Sequence, residues 1–288
     1  MRLAHGGVWV DRWRASDGAM LVTAGTVLTI HLPPGGSYPT VELEAHDILY
    51  EDAALIVLNK PPGWYVTMTP WDLVGNVRAA LERWLQRRDG VLQPVHLAHQ
   101  LDRDTSGVLI ATKDPQANAG LQRSFATHTV SKRYLCICAG QPVEDSWTTE
   151  TGHGRGAHGL FRVYPLEQVG QPLPVGHNSI KYMATDFRVV RRFAGTALLE
   201  ASPRTGRTHQ IRLHLHALGY PILGDARYGG PLQLGDLPLT HHLLHAEYIR
   251  LPHPLTHHAL EVAAPLSPLF TRAWEELEQA DGSIITLR

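Results

Sequence analysis

The chain has 288 residues, of which 43% are hydrophobic and 18% charged, with a formal net charge of −1. That is enough apolar material for one large folded domain with or without a small appendage, and it excludes both a disordered chain and one drawn to nucleic acid by bulk charge. No apolar run is long enough to cross a bilayer and no charged-then-apolar leader opens the sequence, so a soluble, cytoplasmic protein is expected.

In chain order, Gly6 to Val10 and Val27 to Ile30 read as two short strands, and Pro33-Pro34-Gly35-Gly36 punctuates the chain as a linker. The expected division is a small segment over 1–35 and a main domain over 36–288. Leu55 to Leu58 is a continuously apolar, buried-type strand ending at Lys60-Pro61-Pro62-Gly63. A helix is expected to follow, with Thr69 as cap, Pro70 at its first position, Leu73, Val77, Leu81 and Trp84 on one face, and Gly90 as its stop. Val108 to Ala111 is a second buried-type strand. Asp114-Pro115 then opens a helix with Ala117, Leu121 and Phe125 on one stripe. Tyr134 to Ala139, Ser179 to Val190 and Thr196 to Ser202 read as strands. Gly206 to Leu218 reads as a helix closed by Gly219, and Ser267-Pro268 caps a last helix through Phe270, Trp274 and Leu277. Strands outnumber helices without strict alternation, which favours an α+β fold over a doubly wound parallel sheet.

Cys136 and Cys138, on alternate positions of an extended run, read as small buried apolar residues. The eighteen histidines raise the question of metal, yet none completes a His-Glu-x-x-His pattern; polar surface and capping roles are expected. The most basic stretch, Arg188 to Arg212, is a candidate binding face.

Two stretches carry chemistry. His99-Gln100-Leu101-Asp102-Arg103-Asp104-Thr105-Ser106-Gly107 is an acid-rich loop at the mouth of a buried strand, where a scaffold can hold a reactive carboxylate rigidly. A lone Asp there would otherwise read as a turn-capping residue. Arg204-Thr205-Gly206-Arg207-Thr208-His209-Gln210-Ile211-Arg212-Leu213-His214 reads as a glycine-opened helix suited to anions. Arg212 lies among Ile211, Leu213 and Leu215. An arginine in such company needs a carboxylate partner, and Asp102 is the natural candidate.

The first of these stretches resembles the catalytic motif of RluA-type RNA pseudouridine synthases. Ser131-Lys132-Arg133-Tyr134 resembles their second motif. Gly206 to His214, continued by Gly219 to Asp225 and Tyr228-Gly229, resembles the third, and Lys60-Pro61-Pro62-Gly63 a further signature. The resemblance implies a long, mixed, mainly antiparallel sheet with flanking helices around a central cleft. It implies isomerisation of a uridine in ribosomal or transfer RNA by a monomer that needs no metal or redox cofactor. By the same resemblance Asp102 is the catalytic carboxylate, Tyr134 the tyrosine against the target base, and Arg212 the partner of the aspartate. Gln100, Arg103, Lys132 and Arg207 are then candidate RNA contacts. Gln100 departs from the arginine usual at that position and lacks its charge and stacking plane. Gly6 to Asp11 with Ala24 to Leu28 resembles part of an alpha-L RNA-binding motif without its leading helices; the other reading is a strand extension of the main domain. Two other functional classes stay open: an inactive RNA-binding protein of the same fold, and a histidine-dependent metal hydrolase.

Overall fold

A computed structural model describes residues 2–156, 160–174 and 178–280, so the last eight residues of the expected 36–288 domain lie outside it. The chain opens with β1 (Val8–Val10), β2 (Trp13–Arg14) and β3 (Leu28–Ile30), then β4 (Ile48–Glu51), β5 (Leu55–Lys60) and helix α1 (Val77–Asp89). Next come β6 (His96–Leu97), β7 (Ser106–Thr112), α2 (Pro115–Ala126), β8 (Ser131–Ala139), β9 (Ser146–Arg155) and β10 (Phe161–Tyr164). The remainder is β11 (Lys181–Phe193), β12 (Thr196–Pro203), α3 (Gln210–Ala217), β13 (Gln233–Leu234), β14 (Leu237–Pro238), β15 (Leu244–Pro252), β16 (Ala259–Ala263) and α4 (Pro268–Gln279).

One large sheet runs in the order β10-β9-β11-β12-β8-β15-β7-β5-β4, with β16 added on β15 and β6 on β7. Among the described residues only β7 with β15 pairs in parallel; every other ladder is antiparallel. The expected mixed, mainly antiparallel α+β architecture is the one observed. Leu55–Leu58 of β5 and Val108–Ala111 of β7 are continuously apolar because both faces are covered. Ile56, Leu58, Leu109 and Ala111 pack under α1 through Val77, Leu81 and Leu85, while Leu55, Val57, Val108 and Ile110 pack with Ala117 and Leu121 of α2. A third core gathers β8 and β12 with Ile211 and Leu215 of α3 and Phe270, Ala273 and Leu277 of α4.

Register places the site. Lys60 of β5, Gly107 of β7, Ala246 of β15, Tyr134 of β8 and Ala201 of β12 are successive partners in a single row across five strands. Directly opposed residues share a face, so this row brings the end of the Lys60 signature, the end of the Asp102 loop and Tyr134 to one side of the sheet. Gly107 sits at φ 109°, and a Cβ there would meet the Ala246 carbonyl oxygen at 2.2 Å. Only glycine lets the two central strands approach.

Two helices begin later than the sequence pattern suggests. α1 starts at Val77, not near Thr69, because the Asp72 carboxylate takes the amides of Val74 and Gly75 into a turn and Asn76 caps the helix by accepting from Ala79. Gly90 does end it in the left-handed conformation, at φ 73°. α3 starts at Gln210, not Gly206. The Gln210 side chain accepts from the Arg207 amide and the Thr205 hydroxyl, and donates to the Ala184 carbonyl and the Thr185 hydroxyl. Residues 206–209 are therefore a loop bound to the helix, and the expected glycine-opened anion site is not formed.

Among the described residues, strands β1 to β3 pair only with one another. They are tied to the 69–73 loop by His5 Nδ1 with Asp72 Oδ1 at 2.9 Å, Trp9 Nε1 donating to the Pro70 carbonyl at 2.9 Å, and the Leu73 amide donating to His5.

Candidate active site

Asp102 lies in a turn just ahead of β7, its carbonyl accepting from the Thr105 amide at 3.1 Å. Two flanking histidines fasten that turn to the chain entering β15: Thr105 Oγ1 bonds His242 Nε2 at 2.9 Å and Ser106 Oγ bonds His245 Nδ1 at 2.8 Å. These bonds are buried, so they resist exchange with water. Underneath, Lys60 is 1% exposed and its ammonium donates to the carbonyls of Pro61, Trp64 and Arg103 at 2.7, 3.2 and 2.8 Å. The Gly63 amide donates to the same Arg103 carbonyl. Burial pushes the Lys60 ammonium down to about 7, against the pull of Asp104 and Asp102. The Lys-Pro-Pro-Gly signature thus anchors the backbone one residue beyond Asp102.

Arg212 reaches Asp102 as expected, Nη1 to Oδ2 at 2.8 Å. Its buried partner is a different carboxylate. Arg212 Nε and Nη2 form a fork with Asp225 at 2.7 and 2.9 Å, and Asp225 is 1% exposed. Burial opposes the charge on Arg212, but Asp225 and then Asp102 outweigh it and lift the guanidinium above its ordinary range. One carboxylate fixes the arginine and the arginine fixes the other, leaving Asp102 Oδ1 open to the cleft.

The cleft has a volume of about 710 Å³ and is lined by Gln100, Asp102, Lys132, Tyr134, Arg207 and His209, among others. Tyr134 forms a wall; burial, and secondarily Asp102, push its phenol above the ordinary range, so it stays protonated. His99, stacked on Phe125 at 5.0 Å, accepts from the Ile110 amide, and burial lowers it to about 3. Lys132 Nζ lies 3.4 Å from the Thr205 carbonyl, and burial lowers it to about 8. Arg207 is exposed on the rim, its Nε donating to the Tyr182 carbonyl.

Not every sequence candidate arrives here. Arg103 does not line the cleft; its guanidinium forms a fork with Asp104 at 2.8 Å for both bonds. The single basic face expected from Arg188 to Arg212 is not formed either. Arg188 pairs with Glu200, Arg191 with Glu278, Arg192 with Asp145 and Arg204 with Asp186, while Arg212 is buried. Antiparallel strands turn successive residues to opposite faces, which scatters a cluster that is compact in sequence. Conversely, Asp225, Tyr228 and His209 belong to the site although nothing marked them individually; all three stand in the third motif. Among the described residues no three His, Cys, Asp or Glu side chains are grouped to hold a metal ion.

Comparison with known proteins gives the same direction. The sequence pattern of the family described as RNA pseudouridylate synthase matches residues 54–217. RNA pseudouridine synthase 1 of Arabidopsis thaliana is 36% identical over 258 residues, covering 78% of this chain and 76% of that protein. Ribosomal large subunit pseudouridine synthase C of Vibrio cholerae serotype O1 is 34% identical over 251 residues, covering 86% of this chain and 74% of its own. Among solved structures, human RNA pseudouridylate synthase domain containing 4 superposes with a TM-score of 0.66 at 25% identity, over 81% of this chain and 93% of that one.

Proposed function

The chain belongs to the RNA pseudouridylate synthase family and isomerises uridine in RNA; from that premise we propose that Asp102 is its catalytic carboxylate and large-subunit ribosomal RNA its substrate class. The observation that carries the first assignment is the asymmetry of Asp102. Oδ2 is held by Arg212 at 2.8 Å, while Oδ1 faces a cleft walled by Tyr134. An oriented oxygen of that kind suits attack on an anomeric carbon, or removal of the proton on the neighbouring 2′ carbon. Either route breaks the bond from uracil to sugar. The base then turns and rejoins through its carbon five, whose proton leaves to restore the ring, so atoms and redox state balance without a cofactor. The target nucleotide has to leave its stack to reach Oδ1.

Tyr134 supplies the apolar wall and a protonated hydroxyl near the reacting base. Arg212 holds the carboxylate and is itself held by Asp225. Lys132 and Arg207 meet phosphate, and Gln100, exposed at the cleft, takes the space of the flipped nucleotide. Arg103 sits on Asp104 outside the cleft and serves the loop. We keep residues 1–35 as a small unit beside the catalytic one. An inactive binder of this fold is disfavoured by the intact Asp102, Tyr134 and Arg212.

The ribosomal assignment is supported by the Vibrio relative, which is named for the large ribosomal subunit. No described helix is long and apolar enough to cross a membrane, and we assign the protein to the cytoplasm, where it meets that RNA. The test is to map pseudouridines in total RNA from cells with and without the gene, then restore the missing one with purified protein. Loss of a site in large-subunit RNA supports the assignment; loss in transfer RNA alone overturns it.

A further inference from the structure

His209 has an unusual backbone and an unpartnered ring nitrogen. It is held at φ 58° and ψ 22°, a left-handed conformation that L side chains rarely adopt, at the N-terminal boundary of α3. Its side chain makes no capping bond to that helix. The ring is instead wedged edge-on between Phe161 and Tyr228, with centroids at 5.7 and 5.6 Å. Its Nδ1 bonds the Tyr228 hydroxyl at 2.7 Å, which fixes the orientation. Strain kept in place by packing on both sides is characteristic of functional sites.

The other nitrogen faces the reactive carboxylate. Nε2 lies 4.0 Å from Asp102 Oδ1, too far for a hydrogen bond, and among the described residues no hydrogen bond reaches either atom. Burial lowers His209 to about 4, with Asp102 opposing and Arg212 and Arg227 adding, so the imidazole is neutral. Burial pushes the Tyr228 phenol up to about 12, so it keeps its proton and has one to offer Nδ1. With Tyr228 as donor to Nδ1, the tautomer on which the proposal below rests, the imidazole proton is on Nε2, which faces Oδ1 across 4.0 Å.

An oxygen placed roughly 2.8 Å from both atoms would subtend about a right angle between them. It has to accept from Nε2–H and donate to a carboxylate. A hydroxyl does both; a uracil carbonyl or a phosphate oxygen accepts only, and Asp102 would repel it. Whichever way Asp102 reacts, Oδ1 must approach the anomeric carbon or the 2′ carbon, which puts the 2′-oxygen beside it. We propose that His209 reads the 2′-hydroxyl of the target nucleotide, accepting it between Nε2 and Asp102 Oδ1, and so determines specificity for ribose. The inference rests on Asp102 as the catalytic carboxylate. Carboxylate enzymes that break glycosidic bonds gain from a hydrogen bond at the same sugar position, one that strengthens in the transition state. The 2′-hydroxyl is also the group by which a protein tells RNA from DNA.

The test uses two synthetic RNA hairpins around the mapped uridine, differing only in ribose or 2′-deoxyribose at that nucleotide. Tritium release gives kcat/KM for the parent, His209→Gly, His209→Asn and Tyr228→Phe. Glycine and asparagine both accept the left-handed backbone, so these variants keep the fold, which melting curves verify. The parent should prefer ribose by about tenfold or more, the loss expected when a buried polar pair goes unmatched. In His209→Gly and His209→Asn the preference should shrink to about twofold, and Tyr228→Phe should fall between. A purely structural His209 would slow both hairpins equally and leave the ratio at its parental value; that result overturns the proposal. Undiminished tritium release from the ribose hairpin by Asp102→Asn overturns instead the catalytic assignment beneath it, and this inference with it.

Discussion

At Asp102 one carboxylate oxygen is bound by Arg212, and the role proposed for the other is one an amide cannot fill. Asp102→Asn keeps the shape and one acceptor beside Arg212 but is neither nucleophile nor base. Tritium release from uracil-labelled RNA should drop to background while melting temperature and RNA affinity stay close to the parent's. Retained turnover would sink the assignment. Lys132 makes a pH-dependent claim. Burial lowers its ammonium to about 8, so the charged form dominates below that pH and is lost above it. RNA affinity should therefore weaken between pH 7 and pH 9, and the salt dependence of binding should lose about 0.7 in slope, the share of one phosphate contact. Lys132→Arg keeps its charge throughout and should abolish the step. Binding titrations at both pH values decide the matter; a parental slope indifferent to pH is the contrary result.

The helix α3 carries the ion triad that holds the site. Arg212→Met would remove the cation paired with Asp225, which is 1% exposed and has no other ion-pair partner among the described residues. Activity should vanish and denaturant unfolding should show a loss of about 3–5 kcal/mol, as when one half of a buried pair is removed. A variant that unfolds like the parent would show that the triad carries no stability. The pairing of Asp102 with Arg212 could be read from sequence because an arginine between Ile211 and Leu213 demands a carboxylate. Asp225 could not, since its claim depends on a turn after α3 that folds back under the helix. The strands β5, β7, β8 and β12 were legible from continuous apolar runs. β9, β15 and β16 were not, because glycine, histidine and charged residues interrupt their pattern, and tertiary pairing alone decides them. Thr69-Pro70 and Gly206 imitate helix starts, and in each case one polar side chain, Asp72 or Gln210, captures the local amides first.

Over the whole molecule, a net charge of −1 hides a local arrangement. Five arginines of the 188–212 stretch, Arg212 among them, are matched by carboxylates, whereas Arg207 stands at the cleft with, among the described residues, only a backbone carbonyl as hydrogen-bond partner. Arg207→Ala should reduce the salt slope of RNA binding by about 0.7 and weaken unrelated RNAs alike, since phosphate contacts do not read sequence. Arg188→Ala and Arg204→Ala should leave the slope unchanged. Gln100→Ala should alter turnover or target preference at constant slope. Salt titrations of the four variants check this, and a reduction in the paired arginines equal to that in Arg207 would place RNA on the outer sheet.

The row from Lys60 through Gly107, Ala246 and Tyr134 to Ala201 has a consequence for how chain length can vary. These residues are far apart in sequence and meet only because four strand pairings keep step. One residue inserted into β8 between Ser131 and Tyr134 would turn Tyr134 to the opposite face without changing any side chain of the site. The same insertion at 140–145, between β8 and β9, or at 253–258, between β15 and β16, displaces nothing on the row. A scan of single-residue insertions should therefore map a sharp boundary. Activity should tolerate added length at the hairpin ends and disappear within three residues of the row, because the groups proposed to act are placed by counting along strands.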